Sequence, residues 1–208
     1  LKKGYRKFKG QWLSREDVEA ARSQWADAWT EETAHYRIST NESEGFAKDL
    51  ALLVEAAYVE FRTFYGDEPK LPAKEKMELF AFRTYEDYRR YCVEQKAEAQ
   101  LNAAGFAASD SNTVVGWNKT RNGQQFLQTM VHEAAHLFWY RVAPGAQAPS
   151  WFAEGMATYF EGYAWDGKGY KLTFVSESRL PFAREAMKGG RQIPIADLIA
   201  GDALALIN

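Results

Sequence analysis

The sequence predicts an α+β fold in which helices pack on a small mixed sheet. Two short segments alternate apolar and polar residues in the manner of half-buried strands: His35–Thr40 and Lys76–Phe82. Thr113–Asn118 is predicted to be a third short strand. The longer segments around them repeat apolar residues every three or four positions, which indicates helices. With 208 residues, of which 46% are hydrophobic, the chain is long enough to bury a sizeable core around such a sheet.

The predicted helices lie between and after these strands. A residue at the N-cap (Asn41 or Ser43) begins a long helix that ends at Gly66. The stretch from Ala103 to Asn112 is rich in Ala and Ser and is predicted to be a loop. The further expectations are helices at 85–100, 124–142, 149–163 (with Ser150 as the N-cap) and 181–187, a strand at 171–175, and an apolar stretch at 195–206.

We expect residues 1–33 to form a helical extension and residues 34–208 to form the main domain. The segment from Ser14 to Asp17 resembles a capping box, and apolar residues then continue at helical spacing to about Thr33. The chain starts at Leu1 and stops at Asn208 inside an apolar pattern. We therefore expect a fragment or a processed form, with a possible truncation at the C-terminus.

Composition narrows the class of protein. A net charge of −2 argues against a nucleic-acid partner, and the single Cys92 allows no internal disulfide. No apolar run approaches the length of about 18 residues that a membrane span needs, so no transmembrane segment is expected. The oligomeric state and the location stay open; an extracytoplasmic place in a bacterium is compatible with a targeting segment outside this sequence.

One short motif carries metal chemistry. His132-Glu133-x-x-His136 places two imidazoles one helical turn apart, so that both can reach one ion. Glu133 follows the first His directly, where its carboxylate can contact a water beside that ion. The five-residue pattern also arises by chance, and taken alone it leaves a metal site and an ordinary helix about equally favoured.

A second segment adds a third ligand. Glu154 lies in the predicted helix 149–163, and a hydrolytic zinc site uses three protein ligands with a fourth position open for water. The segment from Trp151 to Tyr159 reads W-x-x-E-G-x-A-x-Y. Together with H-E-x-x-H it resembles the gluzincin zinc metallopeptidases, in particular a poorly characterised bacterial, peptidase-like branch.

The resemblance implies a zincin-like metallopeptidase domain that binds Zn²⁺ and acts on a peptide or protein. His132, His136 and Glu154 would ligate zinc, and Glu133 would activate a zinc-bound water for cleavage of the peptide bond. An Asp usually follows the Glu ligand by one turn in gluzincins, but Thr158 stands there. Glu161 is too far along the helix to share the ion and is expected to be solvated or to support a ligand.

The remaining candidates concern substrate. The strand at 113–118 is either an edge strand that pairs with extended peptide, through Gly116 and Trp117, or a strand paired on both sides. The candidates for an oxyanion donor are tyrosines: Tyr159, Tyr163 and Tyr170. No Glu occurs between Gly105 and Asn118, so the exopeptidase motif of gluzincin aminopeptidases is missing and an endopeptidase is favoured.

Two other classes of protein stay open. The first is a non-enzymatic zincin-like module that binds a peptide or a cell-wall polymer. The intact Glu133 argues against it, because a purely structural zinc site needs no such carboxylate. The second is a structural protein with a fortuitous motif, which would hold no metal.

Overall fold

The computed structural model describes residues 4–166 and 169–201. Helix makes up 47% and strand 19% of the described residues, which confirms the α+β class. The strands are β1 (Tyr5–Phe8), β2 (Gln11–Ser14), β3 (Trp29–Glu32), β4 (Tyr36–Thr40), β5 (Met77–Phe82), β6 (Gly105–Ala108), β7 (Thr113–Trp117), β8 (Tyr163–Trp165) and β9 (Tyr170–Leu172). The α-helices are α1 (Arg15–Arg22), α2 (Glu44–Tyr65), α3 (Tyr85–Glu94), α4 (Gly123–Val142), α5 (Ser150–Phe160), α6 (Leu180–Lys188) and α7 (Ile195–Ala200).

A five-stranded mixed sheet organises the domain, with strand order β3-β4-β5-β7-β6. The three inner strands are parallel, and the two outer ones are antiparallel to their neighbours. The pairs β1–β2 and β8–β9 form separate hairpins. The carboxyl ends of β4, β5 and β7 therefore meet at the same edge of the sheet.

Each face of the sheet is covered by helices. The larger core lies under α2, α4 and α5, where Phe138 of α4 contacts Phe61 of α2 with ring centroids 5.3 Å apart. Phe160 of α5 meets Phe61 edge-on at 4.8 Å. The smaller core joins α3 to the opposite face through Phe82, Tyr88 and other residues. This aromatic packing fixes α5 against α4, which sets the position of Glu154.

The N-terminal region differs from the prediction. The helix that was expected to continue to about Thr33 ends at Arg22, and a short 3-10 helix spans Trp25–Asp27. Residues 29–32 instead pair with β4, because an available sheet edge outweighs a weak helical pattern. The expected boundary after residue 33 thus falls between two paired strands of one sheet.

The predicted loop 103–112 is also wrong in part, because Gly105–Ala108 forms strand β6. This segment lacks β-branched residues, so its local preference is weak, and pairing with β7 decides its conformation. Of the two alternatives for the strand at 113–118, the edge strand is wrong and the strand paired on both sides is confirmed: β7 pairs with β5 on one side and with β6 on the other.

The other boundaries shift by a few residues. The helix from Tyr85 ends at Glu94, and Glu98–Gln100 forms a separate 3-10 turn. Pro149, not Ser150, is the N-cap of α5, and that helix ends at Phe160 because the chain turns into the β8–β9 hairpin. The apolar stretch from residue 195 is helical to Ala200; its part beyond 201 lies outside the described residues. Among the helices described, none has the length and apolar character that crossing a membrane demands.

Candidate metal centre

Helix α4 carries the H-E-x-x-H motif and is held by a cap at its N-terminus and by its buried apolar side chains. The Asn122 side chain caps its start by accepting hydrogen bonds from the backbone amides of Gln124 and Gln125 at 3.0 and 3.2 Å. Leu127, Met130 and other apolar residues of the same helix are buried against the sheet and α2. The helix is therefore rigidly seated, and His132 and His136 are buried on it with 7% and 8% of their surface exposed.

Glu154 of α5 faces both imidazoles. Its two carboxylate oxygens lie 3.3 Å from His132 Nε2 and 3.4 Å from His136 Nε2. The two Nε2 atoms are themselves 3.3 Å apart. The Glu154 side chain is 56% exposed, so this group of three donors opens to solvent on the side of α5. The structure thus brings together the three residues that the sequence named as ligands.

These distances fit a single ion. Donor atoms bound tetrahedrally to one zinc ion at about 2.0–2.2 Å lie about 3.3–3.6 Å from one another. The potential ligand atoms of His132, His136 and Glu154 all lie within 4.8 Å of one another. The group His132–His136–Glu154 can therefore hold a metal ion.

A buried carboxylate supports His132 from behind. Glu161 is only 3% exposed, and its Oε2 lies 3.0 Å from His132 Nδ1. Arg179 donates to the same carboxylate through Nε at 2.6 Å and through a terminal nitrogen at 3.1 Å. Ser176 donates a further hydrogen bond through Oγ. Such a carboxylate fixes the ring so that Nε2 points at the metal position.

Glu161 therefore supports His132 with a carboxylate, although Thr158 stands at the position where the sequence analysis looked for an Asp. Of the two expectations for Glu161, the solvated one is wrong and the supporting one agrees with the geometry. Seven residues after Glu154, the chain has left α5 and turned, which brings Glu161 behind the first His. Ser176 and Arg179 were missed because no motif marks them; they come from the loop before α6 and meet Glu161 only in the folded chain.

Glu133 lies beside strand β6. A Cβ atom on Gly105 would come within 3.1 Å of Glu133 Cγ and 2.9 Å of the Val115 carbonyl oxygen. Glycine at this position therefore lets the edge strand approach the carboxylate closely. Burial raises the pKa of the Glu133 carboxyl, while His132 and His136 act against that rise. A raised pKa suits a group that must accept and release a proton near neutral pH.

Gly116 and Trp117, the candidates for binding substrate on strand β7, contribute to packing within the domain. A Cβ on Gly116 would lie 2.8 Å from Met130 Sδ, so this glycine allows α4 to pack closely on β7. Trp117 points to the opposite face of the sheet, as the alternation along a strand requires. Its indole Nε1 donates to the Ala103 carbonyl at 3.0 Å.

The three candidate tyrosines do not gather at the ligands. The Tyr163 hydroxyl donates to the Gln124 carbonyl at 2.9 Å, eight residues before His132 or about 12 Å along the helix. The Tyr170 ring packs edge-on against Tyr163 at 5.5 Å. Tyr159 stacks on Phe174 at 4.7 Å.

A fourth tyrosine was missed. The Tyr140 ring lies parallel to that of His136, with centroids 6.3 Å apart, one turn further along α4. Burial raises the pKa of the Tyr140 phenol, and the charges of Glu133 and Glu154 raise it further, which places the phenol in the field of both carboxylates. The sequence held a signal for it, because position 140 is four residues after His136 and so lies on the same helix face.

Comparison with known proteins adds no relative to this picture: no family model matches the sequence, and the curated proteins contain no match to it.

Protonation of the metal-free centre follows from these contacts. Burial alone would lower the pKa of His132, but the hydrogen bonds to Glu154 and Glu161 outweigh it and raise the pKa from 6.5 to about 9. The two imidazoles lower the pKa of Glu154. Burial opposes ionisation of Glu161, yet His132, Arg179 and Ser176 lower its pKa to about 2. At neutral pH the metal-free site thus holds a protonated His132 between two carboxylates.

Metal affinity should consequently depend on pH. A metal can bind His132 only after the ring loses its proton, so below the folded pKa of about 9 the affinity should rise with pH. We expect about a tenfold gain in zinc affinity per pH unit, levelling off above that value. Competition titration against a chromogenic chelator at a series of pH values measures this. An affinity that stays flat up to pH 9 would contradict the protonated His132.

The loop that crosses Gly162 provides a structural test of the Glu161 network. A Cβ there would lie 2.7 Å from the Val175 backbone nitrogen and closer still to its carbonyl, so Gly162→Ala must displace the loop that delivers Ser176. We expect Gly162→Ala to lower the free energy of unfolding by about 2 kcal/mol or more and to weaken zinc binding. Thermal unfolding and the chelator titration check both effects.

Gly155 is the matched control for that substitution. It lies inside α5 next to Glu154, and nothing stands within 4 Å of the position of an added Cβ. Gly155→Ala should therefore stabilise the protein by about 0.5–1 kcal/mol and leave zinc affinity unchanged. Equal stability of the two variants would show that the loop does not rest on Gly162.

Proposed function

We propose that this protein is a zinc-dependent metallohydrolase of gluzincin type that cleaves peptide bonds, with an endopeptidase favoured. The proposal rests chiefly on one observation. His132, His136 and Glu154 converge at tetrahedral spacing with a Glu directly after the first His, and their group is open to solvent beside Glu154. A purely structural zinc site is closed and has no use for Glu133.

Each residue has a chemical role in this proposal. The two imidazoles and the Glu154 carboxylate would hold zinc, which supplies Lewis-acid polarisation of the scissile carbonyl and activation of a water. Glu133 takes a proton from the attacking water and passes it to the leaving amine. Glu161 and Arg179 hold His132 in the orientation that binding needs.

Strand β6 is the proposed docking edge for substrate. It is the last strand of the sheet in the described chain, and its start lies beside Glu133 through Gly105. An extended peptide can add to such an edge through backbone hydrogen bonds, which recognises length and direction more than sequence. This assigns to β6 the role that the sequence gave to residues 113–118.

Tyr140 is the proposed donor to the developing oxyanion. Its ring is adjacent to that of His136, and its phenol lies in the field of Glu133 and Glu154. Its pKa is raised, so the phenol keeps the proton that it must donate. Tyr159, Tyr163 and Tyr170 are engaged in contacts elsewhere.

Glu133→Gln is the central experiment. The amide cannot accept a proton but preserves the shape of the side chain, so the variant should keep one zinc per chain and lose peptide hydrolysis by a factor of about 10²–10⁴. Elemental analysis and cleavage of a quenched peptide library measure the two properties. Glu94→Gln, an exposed position at the end of α3, is the matched control and should change neither.

The same experiment separates the other classes of protein. Zinc in the wild-type protein without cleavage of any peptide would contradict the enzyme and leave a binding module. An absence of stoichiometric metal in protein purified without chelators would contradict the metal site itself.

Tyr140→Phe tests the assignment of the donor. Removing only the hydroxyl should lower kcat by about 10²–10³ while KM and zinc content stay near the wild-type values, because the bond forms in the transition state. Tyr159→Phe removes a hydroxyl from a tyrosine of similar exposure and should leave kcat unchanged. Equal turnover in Tyr140→Phe and the wild type would place the donor on another residue.

A further inference from the structure

A pocket separate from the candidate metal centre lies at the carboxyl ends of the parallel strands β4, β5 and β7. Its volume is about 630 Å³, and none of its lining residues belongs to the metal centre. Arg83 directly follows β5, and Asn118 directly follows β7. Glu42 lies just beyond the end of β4. Crevices at the carboxyl ends of parallel strands are common places for small ligands, and the volume falls in the usual range for them.

The pocket is cationic. Three positive side chains (Arg83, Lys119 and Arg121) face a single negative one, that of Glu42. Lys119 donates to the Asn102 carbonyl at 3.3 Å. In the part of the chain that the structure describes, neither arginine has an ion pair or a side-chain hydrogen bond. Two free guanidinium groups present paired donors that match the oxygens of a phosphate.

Thr84 also lines the pocket and is the N-cap of α3, a helix of ten residues. The first turn of α3 carries Glu86 and Asp87, whose charges offset the positive end of the helix dipole. Asp87 accepts hydrogen bonds from Thr84 and from Asn41. The positive potential of the pocket therefore comes from its arginine and lysine side chains.

Unpartnered acceptors at the same place give a second, independent indication of a ligand. Asn118 is only 6% exposed, and its Oδ1 has no hydrogen-bond partner among the described residues. Its amide group donates to Glu42 Oε1 at 3.3 Å, which fixes the orientation of the oxygen. The other oxygen of Glu42 likewise has no partner in the described chain. Buried acceptors of this kind are costly unless a donor reaches them.

We propose that this pocket binds a phosphate monoester of a hydroxylated compound. The phosphate would lie against Arg83 and Arg121, and ligand hydroxyl groups would donate to Asn118 Oδ1 and Glu42 Oε2. Tyr85 and Trp117, with ring centroids 5.1 Å apart, line the pocket and offer flat apolar surface to a sugar ring. This site is independent of the proposed peptidase chemistry and stands whether or not zinc binds.

Calorimetric titration of the full chain with inorganic phosphate and with ribose 5-phosphate tests the proposal. Both should bind, and ribose 5-phosphate should bind at least about tenfold more tightly because its hydroxyls reach the unpartnered oxygens. Arg83→Gln and Arg121→Gln should each weaken both ligands at least about tenfold, since each removes a charge-assisted contact. Arg89→Gln, on the exposed face of α3 where Arg89 pairs with Glu86, should leave both affinities unchanged.

Thermal unfolding of each variant shows whether a loss of binding comes from a loss of folding. The two arginines are exposed, so their replacement should not shift the unfolding midpoint. Failure of the wild type to bind either ligand would overturn the proposal. So would equal binding by the wild type and an Arg83→Gln/Arg121→Gln double variant. Equal affinity for phosphate and ribose 5-phosphate would contradict the part of the proposal in which ligand hydroxyl groups are recognised.

Discussion

The buried carboxylate of Glu161 is the contact on which the arrangement of this centre depends. An ionised carboxylate that is 3% exposed is tolerated only when several donors satisfy it. Its donors come from three separate parts of the chain: His132 on α4, Ser176 in the loop after β9, and Arg179 at the start of α6. One side chain thus joins α4 to the segment that follows α5. Loss of any one donor leaves part of this buried carboxylate unsatisfied, so the three elements are coupled through it.

The sheet contributes in a different way, because close packing against it fixes the position of α4. Gly116 lets the helix approach β7, and Gly105 lets β6 approach Glu133. Both glycines act through the absence of a side chain, and close packing transmits small changes in position from the sheet to the ligands. The aromatic contacts of Phe61 with Phe138 and Phe160 then set the distance between α4 and α5. A metal centre built from two helices needs that distance to be constant within a fraction of an ångström.

The sequence predicted those parts of the protein that depend on interactions between residues close together in the chain. The helical periodicity and the i, i+4 spacing of His132 and His136 are properties of one helix, and the Glu ligand follows from a motif on the next. What could not be predicted arises from pairing across the chain. Strand β6 forms because β7 is available, and Arg179 meets Glu161 only after the β8–β9 hairpin turns the chain back. No local pattern marks such contacts.

The two edges of the sheet differ in how they meet other chains. The outer strand β3 carries Glu31 and Glu32, and charged side chains on an edge discourage pairing with a further strand. Strand β6 has the sequence Gly-Phe-Ala-Ala and carries no charge. Its protection is its length, because four residues offer few backbone hydrogen bonds to a stray chain. Of these two edges, β6 is thus the one less protected by charge, and a longer β6 would increase the tendency of the protein to self-associate.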